Sequence, residues 1–228
     1  MSKRAVGRFI ALILAGPTLM FAAAGRLDWW EGWLVTAFTV AMQLGSRLLL
    51  MRLNPDLAAE RAASSDTEGK GVAPWDKALV PIVALLGPLI SLLVAGLDHR
   101  WGWSPQVPQL LWALCLIIFA AGYLFSTWAM LTNRFFAAYV RIQQERSHSV
   151  VREGPYSVVR HPGYAGALFG GLACVLVLGS WWALVPAGLT SVAIIVRAAL
   201  EDRFLRTELP GYETYAQKVR FRLLPRVW

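Results

Sequence analysis

The chain has 228 residues, of which 57% are hydrophobic and only 16% are charged, and its mean hydropathy is +0.49. An average soluble domain is about 25% charged, so this balance excludes an ordinary soluble enzyme and indicates a chain that folds in lipid. The net charge of +8 raises the question of an anionic partner, which the placement of the basic residues answers below.

Six apolar runs predict an all-α fold, a polytopic bundle of about five to six membrane helices. Most runs approach the roughly 20 residues that cross about 30 Å of hydrocarbon at 1.5 Å per residue. The first run follows basic residues, but it is interpreted as a retained span because similar runs come after it. The runs cover approximately residues 5–24, 33–51, 78–97, 110–131, 164–178 and 181–197.

The last two runs are predicted to form a helical hairpin, because only Gly179 and Ser180 connect them. The fifth run is short, so a full crossing and a re-entrant helix both stay open. A cytoplasmic helix is expected to continue from the sixth run to the stop at Pro210-Gly211. The chain thus divides into N-terminal membrane helices, 1–131 with a cytoplasmic loop at 52–77, and a region at 132–228 that holds most of the unusual chemistry.

The basic residues predict the orientation of the bundle. With both termini in the cytoplasm, only Arg26 and Arg100 of the 22 lysines and arginines lie on the outer side. This bias is typical of multi-pass membrane proteins, in the inner membrane if the chain is bacterial, and it attracts anionic lipid, so no nucleic acid is predicted. Tryptophans near the three outer turns are expected to be interfacial anchors. They are Trp29, Trp30, Trp33, Trp101, Trp103, Trp181 and Trp182.

A polar segment stands directly before the fifth run. It reads Gly154-Pro155-Tyr156 and then Arg160-His161-Pro162-Gly163-Tyr164. Pro162 suits the first turn of a helix, where its missing N–H would be unpaired anyway. It also keeps His161 extended, so the imidazole is expected to point to the mouth of the helix, either as a structural cap or as a functional group.

A second polar element, residues 197–205, begins where the last membrane helix emerges. Arg197 and Glu201 are four residues apart and share a helix face, so a simple surface ion pair is one interpretation. The other is a functional site, because ionisable groups at the membrane edge are expensive and usually serve a cavity. The sequence contains no phosphate-binding loop, dinucleotide fingerprint, zinc motif or nucleophile elbow, so no metal is predicted.

In these motifs the chain resembles the isoprenylcysteine carboxyl methyltransferase family, in its bacterial branch, which is related to phospholipid N-methyltransferases. The matching segments are residues 154–156, 160–164, 201–205 and 209–225, with weaker similarity at 54–55, 75–77 and 140–143. The resemblance implies a helical membrane methyltransferase that binds S-adenosylmethionine between the last two membrane helices and the C-terminal segment. The region 132–228 is then the catalytic, cofactor-binding part.

The resemblance also implies roles for individual residues. Asp202 departs from the family, which usually has a second glutamate there. The cofactor-binding residues expected are Gly154, Tyr156, Arg160, His161, Tyr164, Glu201 and Asp202.

The chemistry of S-adenosylmethionine is compatible with these roles. Glu201 can pair with its cationic groups, and Arg160 or Arg197 can hold its carboxylate. The catalytic residues expected are Arg197, which orients the methyl acceptor, and His161 or Glu201 as a base if that acceptor is an amine or thiol. An apolar or lipid-like acceptor is expected to enter from the membrane. A nicotinamide-dependent membrane reductase of the sterol-reductase type and a non-enzymatic membrane protein stay open as alternatives.

Overall fold

A computed structural model describes residues 3–63 and 71–228, and every regular element in these ranges is helical. This confirms the predicted all-α class. Lys70 and the adjoining part of the predicted cytoplasmic loop lie outside the described residues. The helices are α1 (Lys3–Ala24), α2 (Trp30–Leu53), α3 (Pro55–Ala63), α4 (Asp76–Pro81), a π-helical turn (Ile82–Leu86), α5 (Gly87–Trp101), α6 (Gln109–Thr132), α7 (Pro162–Val177), α8 (Leu184–Glu208) and α9 (Tyr212–Lys218), with 3-10 turns at Gln144–Arg146 and Gly154–Ser157.

Four helical segments are long and apolar enough to cross a membrane: α2, the continuous segment Asp76–Trp101, α6 and α8. Two shorter apolar helices, Phe9–Ala24 within α1 and the whole of α7, accompany them, which confirms a polytopic bundle. Helix α7 has 16 residues, about 24 Å at 1.5 Å per residue, and is therefore short of a hydrocarbon layer of about 30 Å. Helix α8 joins the predicted sixth run to the predicted cytoplasmic helix without a break.

Small residues bring the membrane helices into close contact. On α6, a Cβ placed at Gly122 would come within 2.6 Å of the Gly166 carbonyl oxygen of α7. On α5, a Cβ at Gly96 would come within 2.4 Å of the Met20 carbonyl oxygen of α1. In lipid there is no hydrophobic driving force between apolar helices. Close backbone approach at such small residues instead supplies the van der Waals contact that stabilises their packing.

The three predicted outer turns meet at one end of the bundle. The buried Asp98 carboxylate at the end of α5 accepts hydrogen bonds from Ser104 N–H at 2.8 Å and from the Ser180 hydroxyl in the α7–α8 turn. In the first turn, the Trp29 ring stacks on His99 with centroids 4.2 Å apart. Trp29 is thus buried rather than an interfacial anchor, whereas Trp30 and most of the other tryptophans in these turns are exposed.

An apolar cavity of about 370 Å³ lies within the bundle, between α1, α2, α5, α6, α7 and α8. Its wall includes Phe119 and Tyr123 of α6 and Gly171 of α7. A Cβ at Gly171 would meet no atom within 4 Å, so this part of the wall has room for a larger side chain.

Candidate functional site

A second cavity, of about 310 Å³, lies at the other end of α7 and α8, away from the Asp98 turns. That volume is within the range of about 300–1,000 Å³ typical of small-molecule sites. The first turn of α7, the second half of α8, the irregular segment 133–151 and the C-terminal tyrosines form its wall. The predicted residues that line it are Tyr156, Arg160, His161, Tyr164, Arg197 and Glu201.

Glu201 is the acidic residue among the described residues that line this cavity. Its carboxylate accepts a hydrogen bond from the hydroxyl of Tyr164, which lies in the first turn of α7. Within the described part of the chain, no lysine, arginine or histidine forms an ion pair with it. The surface pair of Arg197 and Glu201, one of the two interpretations of their spacing, is therefore not formed.

Arg197 is bound instead to Asp76, the first residue of α4. The two groups form a bidentate ion pair, with Nε to Oδ1 at 2.7 Å and Nη2 to Oδ2 at 3.0 Å. Arg197 Nη2 also donates to the Ala138 carbonyl at 2.7 Å, and the fully buried Asp76 carboxylate accepts the Val140 N–H at 2.6 Å. The guanidinium carbon lies 5.1 Å from the centre of the Tyr164 ring, so the Arg197–Asp76 pair packs against the tyrosine that bonds Glu201.

Asp202, next to Glu201 on α8, is fully buried and does not line the cavity. It sits among three arginines, whose nearest nitrogens are 2.6 Å (Arg160), 3.1 Å (Arg222) and 3.2 Å (Arg206) from its oxygens. Its Oδ1 also accepts the Tyr212 hydroxyl at 3.1 Å. This carboxylate fastens the C-terminal segment to α8 and to the residues that precede α7.

Arg160 donates its hydrogen bonds to Asp202 and to backbone carbonyls of the C-terminal segment. Nε and Nη2 bond Asp202 at 2.6 and 3.2 Å, and Nη1 donates to the carbonyls of Val219 at 2.6 Å and Arg220 at 2.8 Å. The expectation that Arg160 holds a cofactor carboxylate stays a prediction, because in this structure its donors bond the protein itself.

His161 presents the clearest unused polar atom of the site. Its backbone N–H bonds the Arg222 carbonyl at 2.9 Å, and its ring lies nearly parallel to that of Tyr164 with centroids 5.7 Å apart. Its Nε2 is buried and has no hydrogen-bond partner among the described residues; the nearest Asp202 oxygen is 3.6 Å away. A buried polar atom left unpaired costs about 1–3 kcal/mol, so a ligand that bonds it gains that amount back.

In the Gly154–Tyr156 motif, Tyr156 lines the cavity, whereas Gly154 allows the backbone turn that precedes it. Gly154 has φ of 57° at the start of a 3-10 turn, a conformation that glycine adopts without strain, and it does not line the cavity. Tyr156 lines it, and its hydroxyl accepts a hydrogen bond from Asn133 at 3.2 Å. Burial raises the pKa of Tyr156 and of Tyr215, so both hydroxyls stay protonated at neutral pH.

The irregular segment between α6 and α7 closes the remaining side of the cavity. His148 lies there beside Phe135, and its Nδ1 accepts the Gln143 N–H at 3.3 Å, which requires an unprotonated nitrogen. Burial, with the positive charges of Arg141 and Arg146, lowers the pKa of His148 to about 4. The imidazole is therefore neutral at physiological pH.

Comparisons with known proteins found similarity to methyltransferases. A family model described as phospholipid methyltransferase matches residues 110–210. A probable protein-S-isoprenylcysteine O-methyltransferase of rice (Oryza sativa subsp. japonica) is 31% identical over 94 residues, which is 38% of this chain and 47% of the relative. Protein-S-isoprenylcysteine O-methyltransferase B of Arabidopsis thaliana is 26% identical over 151 residues, 62% of this chain and 70% of the relative.

The match to the phospholipid methyltransferase model does not reach every part of the site. The chain spans about half the length of the rice relative. The matched residues 110–210 include His161, Tyr164, Arg197 and Glu201, but they end before the C-terminal segment and begin after Asp76.

Sequence reasoning did not assign Asp76, Asn133 and His148 to this site. The signal for Asp76 was a charged residue at the start of an apolar helix, where a partner is expected. For Asn133 and His148 the sequence carries no comparable signal, because an irregular segment has no periodicity from which a facing direction can be read.

Proposed function

We propose that this chain is an integral membrane methyltransferase that uses S-adenosylmethionine and acts on a lipophilic acceptor at the cytoplasmic face of the membrane. The observation that carries this proposal is the Glu201 carboxylate, which faces the cavity and forms no ion pair with another described residue, while Arg160 binds Asp202 and Arg197 binds Asp76. A half-buried carboxylate in this state attracts a cation, and S-adenosylmethionine carries a sulfonium and an ammonium.

The residues of the cavity fit the cofactor in a second respect. His161 lines the same cavity as Glu201, and its Nε2 has no hydrogen-bond partner among the described residues. We assign Glu201, His161, Tyr164 and Tyr156 to cofactor binding, and Gly154, Arg160 and Asp202 to the frame that holds them. The catalytic part is then residues 132–228, completed by Asp76 from the N-terminal half.

For methyl transfer the protein needs mainly to position the two reactants and to exclude water from the site. Bound S-adenosylmethionine supplies an electrophilic methyl group whose transfer disperses positive charge. Glu201 and His161 hold the donor, and the apolar surroundings exclude water, so proximity and orientation supply most of the rate. Arg197 orients an acceptor carboxylate through Nη1, the guanidinium nitrogen for which the described residues provide no partner. An amine or thiol acceptor would instead lose its proton to His161 or Glu201.

The acceptor is proposed to be lipophilic because an apolar cavity adjoins the cofactor site. Ser126 of α6 lines the apolar cavity and donates to the carbonyl of Gly163, which lines the polar one, at 3.0 Å. An acyl or prenyl chain in the apolar cavity would thus bring its polar end toward Arg197. The relatives named above are described as acting on S-isoprenylcysteine, and an isoprenylcysteine-like carboxylate or another lipid headgroup is the class of acceptor proposed here.

The cytoplasmic location of the site and of both termini rests on charge. The predicted topology places 20 of the 22 lysines and arginines on the side of the membrane that carries the cofactor cavity. The opposite end carries Arg26 and Arg100. This is the distribution that membrane insertion produces when the basic loops stay in the cytoplasm.

A labelling assay tests the proposed activity. Purified protein is incubated with methyl-labelled S-adenosylmethionine and either a membrane lipid extract or N-acetyl-S-farnesylcysteine. Label in the farnesylcysteine ester supports O-methylation, and label in phospholipid supports N-methylation. The proposal would be contradicted if neither fraction gained label and the protein bound reduced nicotinamide adenine dinucleotide phosphate instead of S-adenosylmethionine.

A further inference from the structure

Asp76, in the N-terminal half of the chain, bonds Arg197, which lines the cofactor cavity. It is separated from Arg197 by 121 residues in sequence and lies outside residues 110–210, which match the phospholipid methyltransferase model. Its carboxylate is fully buried, and both oxygens bond the Arg197 guanidinium. Asp76 thus binds the Nε and Nη2 edge of an arginine that lines the cofactor cavity.

Arg197 has a second carboxylate within reach along its own helix. Residues four apart on α8 are neighbours, with Cβ atoms about 5–6 Å apart, so the Arg197 side chain can turn toward Glu201 once Asp76 no longer binds it. A guanidinium on Glu201 would neutralise the carboxylate and compete with any cationic ligand for its oxygens.

We propose that Asp76 is a positioning residue that withholds Arg197 from Glu201 and thereby keeps the Glu201 carboxylate available to a cationic ligand. The inference rests on the proposed function, because the cation it concerns is that of S-adenosylmethionine. The bidentate geometry supports it, since the two oxygens of Asp76 bond Nε and Nη2 of a guanidinium that lies over the Tyr164 ring and forms no ion pair with Glu201 in the described part of the chain.

Asp76 also has a structural contact, and the test must separate the two roles. Its Oδ2 accepts the Val140 N–H, which connects α4 to the segment that lines the cavity. Asparagine at position 76 keeps one oxygen that can accept this bond, but it removes the charge and replaces the second acceptor oxygen with an NH2 donor. The variant Asp76→Asn therefore releases Arg197 with little change to the backbone contact.

The experiment is a double-mutant cycle on ligand affinity, measured by calorimetry with the full chain in detergent. The variants are Asp76→Asn, Arg197→Gln and the double variant, and the probes are S-adenosylmethionine and the uncharged analogue 5′-methylthioadenosine. Asp76→Asn is expected to weaken S-adenosylmethionine binding about tenfold or more, the effect of losing an interaction with a charged group. The double variant is expected to bind it within about threefold of Arg197→Gln, because no arginine is left to occupy Glu201. The uncharged analogue is expected to bind all variants alike.

Two results would overturn the inference without affecting the proposed function. The first is that Asp76→Asn binds S-adenosylmethionine as tightly as the wild type does. The second is that the double variant binds it as weakly as Asp76→Asn does, which would make the loss structural. If Asp76→Asn does not fold, Arg197→Gln and the double variant decide, since equal affinities support the inference and a difference of more than about fivefold contradicts it. Absence of wild-type binding would overturn the proposed function itself.

Discussion

Glu201 and Asp202 are adjacent in sequence and chemically alike, yet they occupy opposite kinds of environment. Successive residues on a helix differ by about 100° in direction, so one of two neighbouring carboxylates can face a cavity while the other faces the helix packing. Glu201 faces the cavity and bonds a neutral hydroxyl, whereas Asp202 is enclosed by three arginines. The first is therefore suited to a ligand and the second to stability.

The variant Asp202→Asn tests the structural half of this contrast. Removing the charge leaves Arg160 buried without its partner, a change that typically costs about 3–5 kcal/mol. The thermal midpoint in detergent should fall, and trypsin should cleave the segment 218–226 faster than in the wild type. Asp28→Asn is the matched control, because Asp28 forms an exposed pair with Arg26 and its loss should leave both measurements unchanged. Unaltered cleavage of Asp202→Asn would contradict the fastening role.

At the scale of the elements, α7 joins the two cavities. His161, directly before α7, and Tyr164 in its first turn line the polar cavity, and the middle of the helix borders the apolar one at Gly166 and Gly170. The glycines that let α7 approach α6 so closely are also the ones that leave space beside it. One short helix thus places the proposed cofactor site next to the proposed site for the acceptor chain.

Filling the apolar cavity should affect the acceptor and leave the cofactor alone. The variant Gly171→Leu adds a side chain to the cavity wall where no atom obstructs it. We expect the KM for a farnesylcysteine or phospholipid acceptor to rise about tenfold, the effect of losing a few buried methylenes, while S-adenosylmethionine affinity stays unchanged. Gly188→Leu on α8 is the control, because it too meets no atom but does not line the cavity. Equal kinetics in the two variants would argue against this location for the acceptor.

At the scale of the whole molecule, the predictable part of the structure is the part that lipid dictates. Apolar runs of the right length gave the helices, and the continuation of α8 to the stop at Pro210 was predictable from local chemistry. The pairing of Asp76 with Arg197 was not, because it joins residues 121 positions apart whose approach depends on how all the helices pack. For the same reason the spacing of Arg197 and Glu201 was compatible with an ion pair that the fold does not form.

The stability of the whole fold should depend on pH through His148. Its pKa is lowered from the ordinary value of 6.5 to about 4, so between these values the unfolded chain binds a proton that the folded chain does not. Stability is therefore expected to fall as the pH drops from about 6.5 to about 4. A thermal midpoint series across this range should fall less steeply in His148→Gln, which keeps a hydrogen-bond acceptor but does not titrate. Parallel curves would show that His148 does not carry the dependence.

The most direct test of the account is the affinity of the protein for S-adenosylmethionine, measured by calorimetry in the wild type, Glu201→Gln and Glu208→Gln. The two substitutions remove one carboxylate each from the same helix, but only Glu201 lines the cavity. We predict saturable binding by the wild type and Glu208→Gln, and about 10- to 100-fold weaker binding by Glu201→Gln, as expected for a lost contact with a charged group. Equal affinity in all three proteins would contradict the assignment of Glu201 as the group that binds the cationic cofactor.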